Sequence, residues 1–473
     1  MAMMTLEQAF AWIREQVPQA QLVGDGALAV ERVHTDTRTL VPGDLFVALQ
    51  GERYDANAFL DQARAAGAVA AIAHGGLEAA GLPGIEVPDS LQALGLLAAG
   101  WRAQFVLPLI AVTGSNGKTT VTQMIAAILR AHAQEAAFAT QGNLNNAIGV
   151  PQTLLRLSAA HRVGVVELGM NHPGEIATLA AITRPTVALV NNAQREHLEF
   201  MHTVQAVAEE NGSVFAALPS DGVAVFPAGD TYTPLWQGLA GTRRCLGFGG
   251  ESGDVRCTRA DWQDGAWRVA IATPQGALQC ALHIAGRHNV TNALAATACV
   301  LAAGVPLEAI ARGLSVFTPV KGRSRAFSVP CGAGAITVVD DSYNANPDSM
   351  RAAIEVLAEL PAPRLLVLGD MGEVGDQGPQ FHAEAGAHAK AQGIEHLYAL
   401  GAQSAHAVAA FGGARHFDNM ASLQAAVREA LPAVGSVLVK GSRFMKMEQV
   451  VEAIAATAEQ PAAAQEARHG TTR

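Results

Sequence analysis

The chain is poor in cysteine, and the few cysteines that it has are scattered. None of them forms a CxxC pair or a Cys/His cluster with the spacing of a zinc site, so the sequence predicts neither a disulfide framework nor a structural metal site. A reducing compartment fits this usage best. The cysteines are Cys245, Cys257, Cys280, Cys299 and Cys331.

Long hydrophobic runs are also missing. No apolar stretch approaches the ~20 residues that a membrane-spanning helix needs. The N-terminal stretch MAMMTLEQAFAWIREQ carries Glu7 before Arg14, which is the reverse of the charge order in a signal peptide. We therefore predict a cytoplasmic protein with no membrane insertion.

The chain has fewer basic than acidic residues. The formal net charge is −10, whereas proteins that hold nucleic acid without sequence preference need a basic surface to neutralise phosphates. We predict no nucleic-acid partner, and any binding of phosphate should be local. Only five residues are lysine, yet Lys118, Lys321 and Lys440 each lie beside a glycine near a predicted strand end, where a compact charge is useful.

A chain of 473 residues exceeds the size at which single hydrophobic cores stop growing. Half of the residues are apolar, as in well-packed α/β enzymes. Strand-like runs such as LIAV, VGVVEL, VALV, ITVVDD and SVLVKG each end in polar or glycine-rich residues. This pattern predicts an α/β fold with parallel sheets, whose ligands lie beyond the carboxyl ends of the strands. We predict three domains, at residues 1–88, 89–318 and 319–473, with a frayed tail at EQPAAAQEARHGTTR.

The stretch TGSNGKTT at 113–120 follows the strand-like run LIAV, and apolar residues at helical spacing follow it. A glycine loop between a strand and a helix N-terminus binds anions through backbone N–H groups and the helix dipole. Lys118 adds a point charge and Thr119 a hydroxyl suited to Mg²⁺. We expect phosphate contacts from Gly114, Ser115, Asn116, Gly117, Lys118, Thr119 and Thr120.

The match is to a shortened loop motif, because the strict form GxxxxGK[ST] requires glycine at the position of Val112. A glycine turn that only caps a helix is the alternative, but it leaves the lysine and the two threonines unexplained. The loop by itself does not distinguish a kinase, a switch GTPase, an ATPase motor or a ligase.

Other polar residues follow the predicted strands. Glu167 ends a buried strand, where it could hold Mg²⁺ or be an exposed strand-end acid. Asn145 and Asn146 could contact phosphate or substrate oxygens, although asparagine is also common in turns. His197 follows the run VALV and could be a metal ligand or a surface histidine.

These motifs resemble those of the Mur ligase family, ATP-dependent amide-forming enzymes of peptidoglycan synthesis, and the resemblance covers nearly the whole chain. TGSNGKTT resembles the family's ATP loop, VVELGMN its magnesium strand, REHLEF its histidine motif and GRHNVTNALAA its HN motif. The resemblance implies that His288 and Asn289 lie near adenine, that Thr119, Glu167 and His197 serve Mg²⁺, and that Arg323 and Asp341 contact the γ-phosphate and ribose.

Within the family, the stretches DDSYNANPDSM, GDMGEVG and LVKGSRFMKME are most similar to enzymes that add D-alanyl-D-alanine to UDP-N-acetylmuramoyl-tripeptide. The resemblance implies an N-terminal uridine-nucleotide domain, a central phosphate-loop ATPase domain and a C-terminal Rossmann-like domain. It implies catalytic roles for Lys118, Glu167, His197 and Arg323, and we predict a monomer. The residues expected to contact substrate are Thr37, Arg38, Asn145, Asn146, Tyr343, Asn344 and Asn346.

One position departs from the family. Where relatives carry a lysine that becomes carbamylated and helps to hold a second Mg²⁺, the stretch VAEENGSVF has Asn211. The resemblance leaves three alternatives: Asn211 takes over, Glu209 or Glu210 does, or the second metal is held differently. These acids could also be merely solvated.

The resemblance implies that ATP phosphorylates the tripeptide carboxylate and that the dipeptide amine then attacks the acyl phosphate. Because Arg323 and Asp341 lie in a different domain from Lys118, the site should be complete only after domain closure. A nucleotide-switched binding module is the competing class, and a folylpolyglutamate or other Mur-type synthesis is the third possibility. Phosphate release that requires both substrates would distinguish the ligase from a switch.

Overall fold

The computed structural model describes residues 2–51, 54–331 and 334–458. The predicted frayed tail, residues 459–473, lies outside this part of the chain. Among the described residues no helix is both long enough and apolar enough to cross a membrane. All five cysteines are free thiols.

The N-terminal part of the chain is built on a five-stranded sheet of order β2-β7-β6-β5-β4, in which only the β2–β7 pair is antiparallel. Strands β1 and β3 form a separate antiparallel pair. Helix α1 follows β1 directly, and a capping box of Thr5 and Gln8 closes its N-terminus. The elements are β1 (Met4–Thr5), α1 (Leu6–Arg14), β2 (Gln21–Val23), β3 (Ala29–Val30), β4 (Arg32–His34), β5 (Asp44–Val47), α2 (Leu60–Ala65), β6 (Ala70–Ala73), α3 (Leu77–Ala80) and β7 (Gly84–Glu86).

The central part contains a six-stranded, fully parallel sheet of order β13-β12-β11-β8-β10-β9. Its elements are α4 (Ser90–Arg102), β8 (Leu109–Thr113), α5 (Lys118–Ala133), β9 (Ala137–Ala139), α6 (Gly149–Leu154), β10 (Val163–Glu167), α7 (Glu175–Thr183), β11 (Val187–Val190), α8 (Leu198–Met201), α9 (Val204–Gly212), β12 (Val223–Pro227), α10 (Thr233–Ala240) and β13 (Arg244–Phe248).

Side chains of β8 show why its run is continuously apolar. Leu109 and Ala111 belong to one hydrophobic cluster, whereas Ile110 and Val112 belong to another on the opposite face. Because successive strand residues point to opposite faces, a strand covered on both sides must be apolar throughout. The polar residues of this sheet are therefore confined to its strand ends.

A small antiparallel sheet of order β14-β15-β16 and two helices complete this part, and α12 packs against both β16 and α5. The elements are β14 (Arg256–Gln263), β15 (Ala266–Thr273), β16 (Gly276–Leu282), α11 (His288–Ala302) and α12 (Leu307–Val316).

The C-terminal part is a second six-stranded sheet, of order β17-β18-β22-β19-β20-β21, with only the β17–β18 pair antiparallel. Its elements are β17 (Arg325–Cys331), β18 (Gly334–Asp341), α13 (Pro347–Ala358), β19 (Arg364–Gly369), α14 (Gly378–Ala391), β20 (His396–Leu400), α15 (Ala405–Phe411), β21 (Arg415–Phe417), α16 (Met420–Ala430), β22 (Ser436–Lys440) and α17 (Glu448–Ala458).

The predicted α/β fold with largely parallel sheets is confirmed. The boundaries after residues 88 and 318 stay a prediction. One hydrophobic cluster runs from the first part into the second, since it includes Ile13 of α1, Leu94 of α4 and Leu179 of α7. The polar segments after the central strands and those after β18 and β22 line one cleft.

Candidate active site

A cleft of about 850 Å³ lies between the carboxyl ends of the central and C-terminal sheets. Most of the residues that the sequence predicts for the site line it. They are Ser115, Asn116, Gly117, Lys118, Thr119, Thr120, Asn145, Asn146, Glu167, His197, His288, Asn289, Arg323, Asp341, Tyr343, Asn344 and Asn346.

The glycine loop joins β8 to α5 and ends at an uncapped helix. Gly117 has φ +80°, and a Cβ there would lie 2.6 Å from Asn292 Oδ1, so only glycine fits. Within the described chain no side chain caps the N-terminus of α5, which begins at Lys118. Unpaired N–H groups at the positive end of a 16-residue helix are suited to hold an anion.

The loop is held in place by the polar residues that follow β11. Asn116 N–H donates to Asn192 Oδ1 at 2.8 Å, and the amides of Asn191 and Asn192 both donate to the Asn116 carbonyl. Ser115 Oγ accepts from Gln194 N–H at 2.9 Å. These bonds fix the backbone of the loop before any ligand arrives, which lowers the entropic cost of binding.

Lys118 lies in a charged cluster. Its Nζ is 3.0 Å from Glu196 Oε1, and Glu196 Oε1 is 3.5 Å from His197 Nε2. His197 Nδ1 in turn lies 2.6 Å from Glu373 Oε2 of the C-terminal part. Burial lowers the pKa of His197, but the two carboxylates outweigh burial and raise that pKa to about 9. Burial raises the pKa of Glu196, yet Lys118 and His197 hold it below its usual range.

Glu167 is a buried carboxylate at the end of β10. Its Oε1 accepts hydrogen bonds from Thr119 Oγ1 at 3.2 Å and from Asn145 Nδ2 at 2.8 Å. Its Oε2 is buried and accepts none from any residue that the structure describes. A buried carboxylate oxygen without a partner is costly unless a cation reaches it, so Glu167 with Thr119 fits the oxygen ligands that Mg²⁺ prefers.

No protein-only metal centre is present in residues 2–51, 54–331 and 334–458, since these contain no group of three His, Cys, Asp or Glu side chains arranged to hold a metal. A magnesium ion at Glu167 would therefore need oxygen atoms from a ligand as well.

His288 and Asn289 begin α11 beside the glycine loop. Asn289 is 1% exposed, and its amide donates to the Ala285 carbonyl at 2.7 Å. Its Oδ1 accepts from Asn292, whose own Oδ1 accepts from Asn191. The amide of Asn289 is thus used within the protein, and its predicted contact with adenine stays a prediction.

The C-terminal sheet contributes charged residues to the opposite wall. The Arg323 guanidinium lies over the Tyr343 ring, 4.0 Å from its centroid. Asp341, at the end of β18, pairs with Lys440 Nζ at 2.6 Å and accepts from Ser324 N–H at 2.9 Å. Burial raises the pKa of Asp341, but Lys440 outweighs burial and holds that pKa below its usual range. Lys321 is different, because it is exposed and pairs with Glu452 outside the cleft.

Polar contacts join the two walls. Asn346, which caps α13, donates through Nδ2 to Asn116 Oδ1 at 2.8 Å. Arg195 binds Asp348 through its backbone N–H and its guanidinium, and it reaches Glu384 at 2.9 Å. Asn344 Oδ1 accepts a hydrogen bond from the backbone N–H of Ala345. Asn146 Oδ1 accepts hydrogen bonds from the backbone N–H groups of Ile148 and Gly149.

Three of the predicted residues do not line the cleft. Gly114 belongs to the loop but does not line the cleft, and its N–H donates to Asn211 Oδ1 at 2.8 Å. Thr37 and Arg38 form a short 3₁₀ helix in the N-terminal part, where Arg38 pairs with Asp36 and its side chain is 85% exposed. Their predicted contact with a uridine nucleotide would require a substrate long enough to reach from there to the cleft.

Asn211 and the two acids before it have other partners. Asn211 is 1% exposed, and its Nδ2 donates to the Val207 carbonyl. Glu210 accepts from the backbone at the start of α7, and Glu209 accepts from Gln205. None of these three side chains lines the cleft, which favours the alternative that any second metal is held differently.

The residue pattern does not single out Glu196, Arg195 or the amides that hold the loop. Their signal in the sequence is the polar run NNAQRE directly after the buried strand β11. Such a run at the end of a parallel strand next to β8 lies beside the loop that follows β8.

Family models match three segments of the chain. They are described as the Mur ligase family, catalytic domain, over residues 29–102, the Mur ligase middle domain over 112–300, and the Mur ligase, glutamate ligase domain over 326–443.

Curated relatives match over most of their length. The UDP-N-acetylmuramoyl-tripeptide–D-alanyl-D-alanine ligase of Escherichia coli (strain K12) is 42% identical, and the match covers 90% of this chain and 94% of the relative. The enzyme of the same name from Bacillus subtilis (strain 168) is 33% identical over 89% of this chain and 93% of the relative.

Two solved structures show the same architecture. A crystal structure of MurF from Acinetobacter baumannii superposes with a TM-score of 0.86 and 34% identity, covering 96% of this chain and 98% of that one. The MurF ligase from Thermotoga maritima in complex with ADP superposes with a TM-score of 0.81 and 25% identity, covering 90% of this chain and 98% of that one.

Proposed function

The chain belongs to the Mur ligase family, and from this premise we propose that it joins D-alanyl-D-alanine to UDP-N-acetylmuramoyl-tripeptide at the expense of ATP, in the synthesis of peptidoglycan precursors. One observation carries the proposal. The uncapped N-terminus of α5, with Lys118 and Thr119, faces the Arg323 and Lys440 wall across a single cleft, so a nucleotide and a substrate carboxylate can be held between the two sheets.

The chemistry needs an activated carboxylate, because a carboxylate does not expel oxide. An oxygen of the tripeptide's terminal carboxylate attacks the γ-phosphorus of ATP, the bond from that phosphorus to the β-phosphate oxygen breaks, and ADP leaves. The amine of the dipeptide then attacks the acyl carbon, its C–O bond to phosphate breaks, and the amine loses a proton. The products are the amide, ADP and inorganic phosphate.

The protein supplies position and charge for phosphoryl transfer. The first-turn N–H groups of α5 and Lys118 hold the phosphates, and Arg323 stabilises the charge on the transferred group from the opposite wall. Glu167 and Thr119 would hold a magnesium ion, which would neutralise phosphate charge. Oε2 of Glu167, which accepts no hydrogen bond from the described residues, supports this assignment.

Water must be kept from the acyl phosphate, or the intermediate hydrolyses. The contacts that join the walls, Asn346 with Asn116 and Arg195 with Asp348, favour a closed arrangement of the central and C-terminal parts. We assign Tyr343 and Asn344 to the acceptor side of the cleft, and Thr37 and Arg38 to the uridine end of the substrate.

The test is phosphate release measured with each substrate left out in turn. The ligase releases phosphate only when ATP, the UDP-linked tripeptide and the dipeptide are all present, and mass spectrometry finds the pentapeptide product. Steady hydrolysis without peptide would instead identify a nucleotide switch. Glutamate accepted in place of the dipeptide would identify a folylpolyglutamate-type synthesis.

A monomeric state and a cytoplasmic location stay predictions. Sedimentation equilibrium checks the first, with 49.0 kDa expected for one chain. Cell fractionation checks the second.

A further inference from the structure

Glu196 is a nearly buried carboxylate in the cleft, and no role in the reaction has been given to it. The residue is 9% exposed, and its two oxygens lie 3.0 and 3.4 Å from Lys118 Nζ. It follows β11 and stands next to His197, which it contacts at 3.5 Å. A carboxylate beside the phosphate-binding lysine repels phosphate as well as attracting the lysine, so its position requires an explanation.

Lys118 has no spare donor in this arrangement. Its ammonium group donates to the carbonyl oxygens of Gly114 at 2.6 Å and Ser115 at 3.0 Å, and its third partner is Glu196. An ammonium group has three donors. A bound phosphate can therefore be contacted by Lys118 only if one of these partners is given up.

Glu196 is the partner that phosphate replaces most directly, since both are anions and the carbonyls belong to the loop that Lys118 itself follows. Release of Lys118 would leave Glu196 nearly buried, with a phosphate nearby and only His197 and the more distant protein charges to balance it. Because His197 also pairs with Glu373, it balances Glu196 only in part, and a nearly buried carboxylate that loses one of its two cations is destabilised. A cation that takes the place of Lys118 at Glu196 removes that cost. A carboxylate is a hard oxygen ligand of the kind that Mg²⁺ takes.

We propose that Glu196 exchanges Lys118 for Mg²⁺ when nucleotide binds: it holds the lysine in the free enzyme and becomes a ligand of the metal, directly or through a water molecule, in the complex. The proposal rests on the proposed function, because it takes ATP as the nucleotide. Its consequence is that the enzyme disfavours nucleotide without metal and favours nucleotide with metal.

The test is ADP binding by titration calorimetry with the full chain, once with EDTA and once with excess Mg²⁺. Glu196→Gln removes the charge that competes for Lys118 and repels phosphate, so the Kd for metal-free ADP should fall about tenfold. The same change removes a metal ligand, so the gain in affinity on adding Mg²⁺ should shrink by about tenfold or more. A purely structural role for Glu196 would move both Kd values in the same direction.

Two further variants serve as controls. Glu209→Gln makes the same chemical change on α9, at an exposed residue outside the cleft, and should leave both Kd values unchanged. Glu196→Asp keeps the charge, and it should keep the weak metal-free binding of the wild type. If Glu196→Gln does not fold, Glu196→Ala provides the test, because it also removes the charge and the metal ligand.

The pairing in the free enzyme is tested separately by the unfolding free energies of Lys118→Ala, Glu196→Gln and the double variant. Lys118→Ala should destabilise the protein, and adding Glu196→Gln should restore most of the loss. Additive effects of the two changes would contradict the pairing.

The outcomes separate this inference from the proposed function. Wild-type protein that does not bind ADP with Mg²⁺ would refute the ATP site itself. Wild-type protein that binds ADP and ligates, while Glu196→Gln shifts both Kd values together or neither, would refute only the exchange at Glu196.

Discussion

Two largely buried lysine–carboxylate pairs face each other across the cleft, and they are built differently. Lys118 of the central part pairs with Glu196 at 3.0 Å, and its other partners are carbonyls of its own loop. Lys440 of the C-terminal part pairs with Asp341 at 2.6 Å, and its side chain is only 3% exposed. Its other partner is the Asn344 carbonyl, in the segment after β18.

The difference separates a movable charge from a fixed one. Lys440 ties β22 to β18 and to the segment that follows it, so its displacement would disturb the whole wall of the cleft. Lys118 is attached mainly to the loop that precedes it, and it can turn to a ligand by giving up its contact with Glu196. The same residue types are therefore suited to chemistry in one sheet and to architecture in the other.

The largest effect is expected from Lys118→Ala. Loss of the charge that holds the phosphates should lower kcat for ligation at least about 10³-fold, measured as product formation. Adding Glu196→Gln should restore stability but not ligation. Lys321→Ala is the control, because that lysine is exposed and paired outside the cleft, and it should retain activity. Substantial ligation by Lys118→Ala would remove the ATP-site assignment.

Lys440→Ala should act mainly on stability. It leaves the largely buried Asp341 without its cation, which costs about 3 kcal/mol of unfolding free energy, measured by urea denaturation. Asp341→Asn in the same chain should recover much of that loss. If Lys440→Ala unfolds at the same urea concentration as the wild type, Lys440 does not stabilise the protein and its role does not differ from that of Lys118 in this way.

Arg195→Ala tests whether the two walls act together. Without its bonds to Asp348 and Glu384, the closed arrangement is less populated, so kcat/KM should fall about 30-fold, which corresponds to about 2 kcal/mol. The affinity for ADP should stay the same. Stopped-flow measurement of ligation gives kcat/KM, and titration calorimetry gives the Kd for ADP.

Arg364→Ala is the matched control for Arg195. Arg364 has similar exposure, 22% against 25%, but its partner Glu395 lies in the same C-terminal part. It should cost some stability and leave kcat/KM near the wild-type value. Equal losses in the two variants would show that Arg195 contributes only to stability.

Asn211→Ala should have the smallest effect of the four. It removes the acceptor for Gly114 N–H, which loosens the loop that carries Lys118, and ADP should bind about fivefold more weakly, or about 1 kcal/mol. Asn57→Ala breaks similar bonds to backbone in the N-terminal part and should not change ADP binding. An Asn211→Ala variant that binds ADP as the wild type does would show that the loop is positioned by other residues.

Asn211 also bears on the metal site. Asparagine has no amine that CO₂ could carbamylate, so removal of bicarbonate should leave the activity of the wild type unchanged. A loss of activity in degassed buffer would mean that a lysine elsewhere is carbamylated.

Much of the fold could be predicted from local patterns. Buried parallel strands need apolar runs, and β8, β10, β11 and β22 lie where the runs LIAV, VGVVEL, VALV and SVLVKG predict them. The glycine loop was visible for a similar reason, since each of its residues is set by a local need for a turn, a helix start or an anion contact.

Contacts between distant segments could not be predicted in that way. Glu196 is 78 residues from Lys118, and Asn211 is 97 residues from Gly114. The contacts of Glu196 with Lys118 and of Asn211 with Gly114 form because β11 lies next to β8 in the sheet. No short stretch of sequence encodes that strand order.

The amino-acid sequence by itself determined the α/β class, the phosphate loop and the family resemblance, because these depend on residue types at fixed local spacing. Only the tertiary structure decided that Asn211 supports the loop, that Glu196 holds Lys118 and that Lys321 lies outside the cleft. The physical reason is that a side chain's partner is set by which strand ends and helices the folded sheets bring together, and the chemistry of a charged residue depends on that partner.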